Sequence, residues 1–510
     1  MIEMYRMLII AGMILASALT DVHADGYWEK HVRFFNDVDT ELYCNEVPNA
    51  KALMYLKENA PCFECPDVDV EQTFAFRWWT YRKHLKRVSD GWVVTEFLPQ
   101  VPWSGPQNTI ACPLGHHVRE GRWLKNKDIV YEHLSFMLKR GNVNGSDAYV
   151  CWPAVSVCDW VEVSGNKKDA VRLLPLLENN HAAWEKSWFA GGERLRIGKD
   201  RTGLYLSTGD HEGTEISLGG YGYRPLVNAA MFGELAAMAR IADWAGDSAK
   251  ADKYRKLAAE FANSVRTRLW NEEKSFFTVV RPDMTRTAVR ELHGYAPWYF
   301  DMPLAGYEKA WHAIADEKGF KAPVGLTFAE RSAEGFAINY GGHECQWNGP
   351  TWPYATSVAL TALIKYLRSP GRHVVSPKTF SDLVVQYARQ HRMRLDDGRV
   401  IPWIDENLDP FTGKWLSREI ILMSPAKKIA FPRERGKDYN HSTFCDLIIS
   451  GICGVIPRDD GHVEIKPLAP PGWMWWKLDN LVLHDKTYTI MYDRDGGHYG
   501  EGVGLLVKKR

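Results

Sequence analysis

The sequence predicts a mainly α-helical fold in which helical hairpins close into a ring, followed by a small C-terminal antiparallel β layer. Three observations support this fold class. Apolar residues recur at three- to four-residue spacing, and the segments with this helical period come in pairs joined by long loops. Only near the C-terminus do apolar and polar residues alternate, as they do in β-strands. The sequence contains no short repeat, so an ordinary helical-repeat solenoid is not favoured.

The first 24 residues have the pattern of a secretory signal peptide. A short basic start precedes an apolar run from Met7 to Leu19, which is too short to span a bilayer, and small residues stand at Val22 and Ala24. We therefore expect cleavage after Ala24 and export to the periplasm or the medium. No later segment has the length and apolar character of a membrane helix, so no membrane span is predicted.

Residues 25–66 form a mixed N-terminal segment, and residues 67–454 are predicted to form the helical ring. The clearest hairpin joins residues 225–244 to residues 249–269, and Asp247 between them suits the turn that starts a helix. Further helices are predicted over 71–86, 169–188, 353–368, 376–394 and 442–453.

The period changes in residues 455–510, which are predicted to form a small β domain packed on the ring. This segment is short and has no second face to bury, so it is not expected to fold alone. The predicted strands are 463–467, 476–484, 486–493 and 503–509.

Composition narrows the possible partners. The chain has 63 Lys plus Arg and 63 Asp plus Glu, so it has no electrostatic reason to bind nucleic acid or an anionic membrane. Its 21 Trp, 22 Tyr and 20 Phe are compatible with carbohydrate binding, because sugar rings stack on aromatic faces, although aromatics also fill cores. The lone Cys62-Phe-Glu-Cys65 motif is interpreted as a local disulfide or two buried thiols.

An acidic, glycine-rich loop over residues 207–225 contains the first candidate catalytic groups. Glycines let such a loop approach a ligand, and crowded like charges raise the pKa of at least one carboxyl, as a general acid requires. A solvated acidic turn is the plainer alternative, against which the adjoining Tyr223 and Arg224 argue. The three carboxylates of the loop are Asp210, Glu212 and Glu215.

Three later segments could complete a site. Residues 346–356 place Trp347, Asn348 and Trp352 in a turn that suits either a sugar-binding wall or a buried aromatic cluster. Residues 403–415 form a second acidic loop, containing Asp405, Glu406 and Asp409, for which a solvated turn is again the alternative. The segment that opens the last helix contains Tyr439 and His441, which could face the same pocket or only cap the helix.

These motifs resemble glycoside hydrolase family 63, and most closely its bacterial members similar to mannosylglycerate hydrolase, which are related to processing glucosidase I and trehalase. The resemblance covers residues 203–454 and is strongest in the Trp-Asn-Gly-Pro-Thr-Trp-Pro stretch, 347–353. It implies an (α/α)6 toroid of six hairpins. It also implies hydrolysis with inversion by a general acid and a general base, without cofactor or metal.

The resemblance nominates particular carboxylates. The family's acid stands in a Gly-Trp-Asp-x-Ser loop, where this chain has Gly-Thr-Glu-Ile-Ser, so Glu215 is the expected acid and Asp210 the alternative. The family's base opens a Glu-x-aromatic-Asp/Asn stretch, which here is Glu-Asn-Leu-Asp, so Glu406 is the expected base and Glu419 the alternative. The predicted substrate contacts are Trp352, Trp347, Asn348, Arg224, Tyr223, Glu212, Trp298 and His441.

The expected function is an inverting and exo-acting glycoside hydrolase on an oligosaccharide or a glycan side chain. Two alternatives come from other classes: a helical-toroid polysaccharide lyase, in which Tyr439 and His441 would be the acid–base pair, and a non-catalytic glycan-binding protein. The sequence specifies neither the sugar nor the linkage nor the oligomeric state.

Overall fold

A computed structural model describes residues 26–139, 149–185, 198–199, 202–430 and 434–510. The predicted signal peptide, residues 1–24, lies outside the described residues, as does the end of the predicted 169–188 helix. Over the part of the chain that the structure describes, no helix has both the length and the apolar character needed to cross a membrane.

Helices make up most of the regular structure. They are α1 (26–38), α2 (Asn49–Asn59), α3 (Val68–Lys83), α4 (Leu114–Gly121), α5 (Asp128–Lys139), α6 (Pro153–Ser164), α7 (Lys167–Glu185), α8 (Pro225–Trp244), α9 (Ser248–Leu269), α10 (Ala296–Tyr299), α11 (His312–Ala315), α12 (Pro353–Arg368), α13 (Pro377–Gln390), α14 (Leu416–Met423), α15 (Pro425–Ala430) and α16 (Phe444–Asp446), which continues as a π-helix over Leu447–Ile452.

The helices form two concentric layers. In the inner layer α4, α6, α8, α10 and α12 each contact the next, α12 contacts the π-helix, and α16 returns to α4. Outer helices α5, α7, α9 and α13 pack against this layer, and α3 closes the outer ring against α13 and α16. A hydrogen bond from Thr73 Oγ1 to the Ala388 carbonyl, 3.0 Å, joins α3 to α13. The predicted (α/α)6 toroid is therefore confirmed.

Local signals explain the helix boundaries. Pro225 and Pro353 occupy the first turns of α8 and α12, where a backbone N–H would have no acceptor within the helix, so the lack of an N–H in proline costs nothing. Both helices have the predicted bounds. Asp247 caps α9 by accepting the Lys250 N–H at 3.0 Å. Helix α3 starts earlier than predicted because the Asp67 side chain accepts the N–H groups of Asp69 and Val70 in the first turn.

The strands form small antiparallel sheets. They are β1 (Cys62–Glu64), β2 (Leu85–Val88), β3 (Gly91–Val94), β4 (Gly198–Lys199), β5 (Tyr205–Ser207), β6 (Gly222–Tyr223), β7 (Trp270–Asn271), β8 (Phe276–Phe277), β9 (Arg392–Arg394), β10 (Val400–Pro402), β11 (Val455–Pro457), β12 (Val463–Ile465), β13 (Trp475–Leu483), β14 (Lys486–Asp493) and β15 (Gly504–Lys509).

The predicted C-terminal β layer is present, with one strand from elsewhere. The sheet has the order β1-β13-β14-β15, so the N-terminal segment supplies an edge strand, with Phe63 opposite Leu478. Cys62 and Cys65 are buried thiols at this junction. Strands β2 and β9 replace the ends of the predicted 71–86 and 376–394 helices, because each pairs with the strand that follows it.

Buried charge holds the inner ring together. Asp446 has no exposed surface, and its carboxylate accepts hydrogen bonds from Arg119 Nε at 2.9 Å, Arg122 Nη2 at 2.8 Å and Trp123 Nε1 at 2.8 Å. Burial raises the pKa of Asp446, but the two guanidinium charges outweigh this and hold the pKa below its ordinary value. The carboxylate thus joins the last inner element to the first.

We predict that Asp446→Ala strongly destabilises the toroid, because the buried guanidinium groups of Arg119 and Arg122 lose one of the two carboxylates they share and keep only Asp159 as a shared partner. The expected loss in the free energy of unfolding is about 3–5 kcal/mol, measured by urea denaturation. Asp485→Ala is the control, since Asp485 is exposed in the β13–β14 turn and its substitution should change stability by less than about 0.5 kcal/mol. Equal unfolding midpoints for the two variants would contradict the role given to Asp446.

Candidate active site

A cavity of about 260 Å³ brings four predicted segments together. It receives Glu215 from the first acidic loop, Trp352 from the aromatic turn, Glu406 from the second acidic loop and His441 from the start of the last helix. The remaining walls come from 96–112, Tyr149, Gly213, 343–345, Arg435 and Tyr439. Segments separated by more than 200 residues therefore meet at one site.

Glu215 is positioned by a tight loop and by an indole. Residues Asp210–Glu212 form a single 3-10 turn, and Gly213 follows with φ +64°, in the left-handed region that glycine adopts without strain. Trp347 Nε1 donates a hydrogen bond to Glu215 Oε2 at 3.1 Å. Burial raises the pKa of Glu215 to about 7, and the charges of Asp210 and Glu406 act in the same direction. This carboxyl is suited to hold a proton at neutral pH.

Glu406 has different neighbours. Its Oε1 lies 2.9 Å from Arg435 Nη2, and its Oε2 accepts a hydrogen bond from the Cys345 thiol at 3.3 Å. Burial raises the pKa of Glu406 to about 7, while the Arg435 charge opposes this and the neighbouring Asp405 adds to it. The ion pair with Arg435 favours the ionised form, which is the form that can accept a proton.

The domain model of the mannosylglycerate hydrolase MGH1-like glycoside hydrolases matches residues 106–442. The matched stretch covers more than half of the chain and contains both carboxylates. The chain belongs to the MGH1-like glycoside hydrolase family. The resemblance expected from the sequence motifs is thereby confirmed, and the toroid is a glycoside hydrolase domain.

Solved structures agree with this family at the level of the fold. A protein named sialidase is 35% identical with a TM-score of 0.85, over 96% of this chain and 43% of that chain. The GH63 mannosylglycerate hydrolase from Thermus thermophilus, in complex with glucose, is 13% identical with a TM-score of 0.50, over 69% and 98%. A GH78 rhamnosidase of Bacillus sp. GL1 is 14% identical with a TM-score of 0.57, over 88% and 41%. The chain thus spans less than half of the sialidase.

Two residues that were predicted to contact the sugar instead fix the position of the acidic loop of residues 207–225, which contains Glu215 and is called the acid loop below. Glu212 is buried and accepts hydrogen bonds from Arg224 Nε at 2.6 Å and from the Val227 N–H at 3.0 Å. The guanidinium of Arg224 also donates to Glu291, 3.1 Å, and to groups of the loop itself: Thr214 Oγ1, Ser217 Oγ and the Gly220 carbonyl. Neither side chain lines the cavity, because each is fully engaged behind the loop.

Other predicted contacts also lie outside the cavity lining. Trp347 stacks on Trp352 with ring centroids 3.8 Å apart, so Trp352 forms the wall and Trp347 supports it. Asn348 donates to the Gly335 carbonyl at 3.5 Å. Tyr223 is buried in β6, and Trp298 is buried among the rings of α10 and its neighbours. Asp210, the alternative to Glu215 as the expected acid, is exposed on the 3-10 turn and also lies outside the cavity lining.

The structure adds residues that the sequence analysis did not select. Glu96 lines the cavity beside His441, and Arg435 and Cys345 hold Glu406. Glu96 follows strand β3 as a single carboxylate between Thr95 and Phe97, outside the stretch of motif resemblance, so no spacing marked it. Arg435 is the first residue of the segment that opens the last helix, 435–444, but nothing in the sequence singled it out there, and only its ion pair with Glu406 reveals its place at the cavity.

The lyase alternative finds little support in this geometry. Asn440, whose amide would neutralise a uronate carboxylate, is buried and bonded to Arg77 Nη2, 3.2 Å, and to the Thr95 carbonyl, 3.4 Å. Tyr439 donates to Glu96 at 2.9 Å, and burial raises the pKa of its phenol well above the ordinary value. A tyrosine that serves as a base needs the opposite shift.

We predict that Arg224→Met loosens the acid loop, because it leaves Glu212 and Glu291 buried without their cation. Hydrogen exchange of the amides in residues 209–222 should accelerate by at least about tenfold, while exchange in the C-terminal sheet stays unchanged. Arg389→Met serves as the control, since Arg389 is largely exposed. Equal protection of the loop in both variants would contradict this role.

Proposed function

We propose that this chain is an inverting, exo-acting glycoside hydrolase, with Glu215 as the general acid and Glu406 as the general base. The observation that carries the proposal is the different environment of two carboxyl groups in one cavity. Glu406 has Arg435 at 2.9 Å, whereas within the described part of the chain Glu215 has an indole N–H and no ion-pair partner. We also propose export, which the pattern of residues 1–24 supports.

The proposed roles follow from which of the two carboxyl groups is protonated before the reaction. In the reaction Glu215 gives its proton to the glycosidic oxygen, and Glu406 takes a proton from the water that attacks the anomeric carbon. The negative charge of Glu406 raises the pKa of Glu215, so the resting pair favours a protonated acid beside an ionised base. After the reaction Glu406 is protonated and Glu215 is ionised. Because both pKa values are near 7, Glu406 can lose its proton to water and Glu215 can regain one from water before the next turnover.

The size and lining of the cavity support exo action. Its volume of about 260 Å³ lies below the range of roughly 300–1,000 Å³ that is typical of ligand pockets. Trp352 is a rigid wall, because it stacks on Trp347 and donates from Nε1 to the Gln346 carbonyl at 2.7 Å. An aromatic wall in a small cavity suits one terminal sugar unit rather than a long segment of polymer.

We predict that Glu406→Gln and Glu215→Gln each reduce turnover by about 10²–10⁴-fold, because each removes one proton-transfer group. Glu419→Gln is the matched control, since Glu419 lies on α14 outside the cavity lining, and it should keep turnover within about threefold. Products from a panel of oligosaccharides and plant-polymer side chains are followed by anomer-resolved NMR, which should show inverted configuration in the first product formed.

Other products would identify other mechanisms. A retained configuration would contradict the acid–base assignment, and an unsaturated product absorbing in the ultraviolet would indicate a lyase. Saturable binding of a glycan without any product would indicate a glycan-binding protein.

We predict a bell-shaped dependence of kcat/KM on pH with both limbs near pH 7, since the two carboxyl groups have pKa values of about 7. Asp210→Asn should shift the alkaline limb to lower pH, because the Asp210 charge raises the pKa of the acid Glu215 and its removal lowers that pKa. Turnover at the optimum should fall by less than about tenfold. A loss as large as that of Glu215→Gln would make Asp210 the acid.

A further inference from the structure

We propose that the sugar subsite at Glu215 and Glu406 is specific for a neutral sugar, and that Glu96 is a specificity-determining residue that hydrogen-bonds one of its hydroxyl groups. The proposal rests on the hydrolase function proposed for the same cavity. It goes further by naming the class of sugar and a residue outside the acid–base pair.

The first argument is the distribution of charge in the cavity. Among the described residues that line it there are four carboxyl groups but a single guanidinium. That guanidinium, of Arg435, lies 2.9 Å from Glu406 Oε1 and 3.8 Å from Glu344 Oε1, and Lys427 Nζ contacts Glu344 at 2.6 Å. The four carboxyl groups belong to Glu96, Glu215, Glu344 and Glu406.

The two histidines of the lining add no free cation. His343 Nδ1 accepts the N–H of Cys345 at 3.0 Å, so this nitrogen is already engaged with the protein backbone. His441 is buried, and burial lowers its pKa well below the ordinary value, so its ring is neutral at pH 7. Among the described residues, every cation at the cavity is therefore already paired with a carboxylate of the protein.

This charge distribution disfavours an acidic sugar. The carboxylate of a uronic or sialic acid would lose its water on entering the cavity, and it would gain no unpaired cation among the described residues. It would also lie near carboxyl groups of the same sign whenever these ionise. The hydroxyl groups of a neutral sugar can donate to and accept from carboxyl groups, and no additional charge is buried when they do so.

The second argument is the geometry of Glu96. Its side chain is buried and lines the cavity, and its Oε1 accepts the Tyr439 hydroxyl at 2.9 Å and lies 2.6 Å from His441 Nε2. Its Oε2 has no hydrogen-bond partner among the described residues. With His441 Nε2 donating in the 2.6 Å contact, Oε1 accepts from both neighbours and the proton of a neutral Glu96 lies on Oε2. A buried polar atom without a protein partner calls for one from a ligand.

The protonation of Glu96 is consistent with this role. Burial raises its pKa to about 8, although Tyr439 and the Arg435 charge lower it. At pH 7 the group is therefore mainly a neutral carboxylic acid with one O–H to donate. A donor in this place favours a sugar hydroxyl.

A neutral sugar differs from what the name of the 35% identical sialidase suggests. The name of that protein would suggest an acidic sugar, but its chain is more than twice as long, and only 43% of it is covered by the match. The name therefore does not identify the activity of the shared part. The cavity of this chain favours a neutral sugar.

The first test compares neutral with acidic sugars on the wild-type protein. The probes are 4-nitrophenyl glycosides of neutral hexoses, 6-deoxyhexoses and pentoses in both anomers, against the glucuronide and the N-acetylneuraminide. We expect kcat/KM for the best neutral glycoside to exceed that of either acidic one by at least about 100-fold. Faster cleavage of an acidic glycoside that Glu406→Gln abolishes would overturn the specificity while leaving the hydrolase function intact.

If no aryl glycoside is cleaved, binding still decides the question. Saturation-transfer NMR with the free monosaccharides, on the wild type and Glu406→Gln, should show contact with a neutral sugar and none with glucuronic or N-acetylneuraminic acid. Binding of an acidic sugar, or of no neutral sugar at all, would overturn the proposal.

The second test addresses Glu96. With the best neutral probe, Glu96→Ala should raise KM, or Kd in the binding format, by about tenfold, the effect of one hydrogen bond of about 1.4 kcal/mol, with kcat within about threefold. Glu96→Gln keeps a donor and should restore affinity to within about threefold. The affinity lost in Glu96→Ala and regained in Glu96→Gln is a readout that a merely structural role would not produce.

A matched control separates binding from folding. Glu234 is another buried carboxyl whose pKa burial raises to about 8, but it accepts the N–H groups of Ala154 and Val155 away from the cavity. Glu234→Gln should change the Tm without changing sugar affinity. An unchanged KM in Glu96→Ala, or equal weakening in the alanine and glutamine variants with unchanged Tm, would overturn the role of Glu96.

Discussion

Closure of the inner ring depends on a cluster of buried charges between its first and last elements. Asp446 in α16 binds Arg119 of α4 and the following Arg122, while Glu120 of α4 accepts the N–H groups of Cys445 and Asp446. Buried charges are tolerated only when they are paired and hydrogen-bonded, so this cluster requires one relative position of the two elements. The convergence of the long loops on one cavity follows from that closure.

At the cavity, the same physics distinguishes two glutamates. Burial raises the pKa of both Glu215 and Glu406 to about 7, and the neighbours then decide which form each adopts. Arg435 stabilises the charge on Glu406, and that charge in turn favours the proton on Glu215. Asymmetry between two otherwise similar carboxyl groups thus comes from one guanidinium.

Behind the cavity lies a supporting layer. Arg224 and Glu212 bind the loop of Glu215 on the side away from the cavity, and Trp347 both stacks on Trp352 and donates a hydrogen bond to Glu215. Three residues that the sequence analysis assigned to the sugar therefore act on the residues that line the cavity. Such support matters because a catalytic carboxyl must keep its position to a fraction of an ångström.

The sequence alone determined the helical ring, the bounds of α8 and α12, the C-terminal sheet and the motifs that contain Glu215 and Glu406, because periodicity, helix caps and spacing are local properties. Tertiary structure alone decided that β1 joins the C-terminal sheet, that Arg224 faces the loop rather than the cavity, and that Glu96 and Arg435 stand beside the acidic loops. The pairing of β1 with β13 and the contact of Glu96 with His441 join segments more than 300 residues apart, and the burial that sets the charge of each carboxyl comes from the whole fold. Neither quantity is contained in the local pattern of the chain.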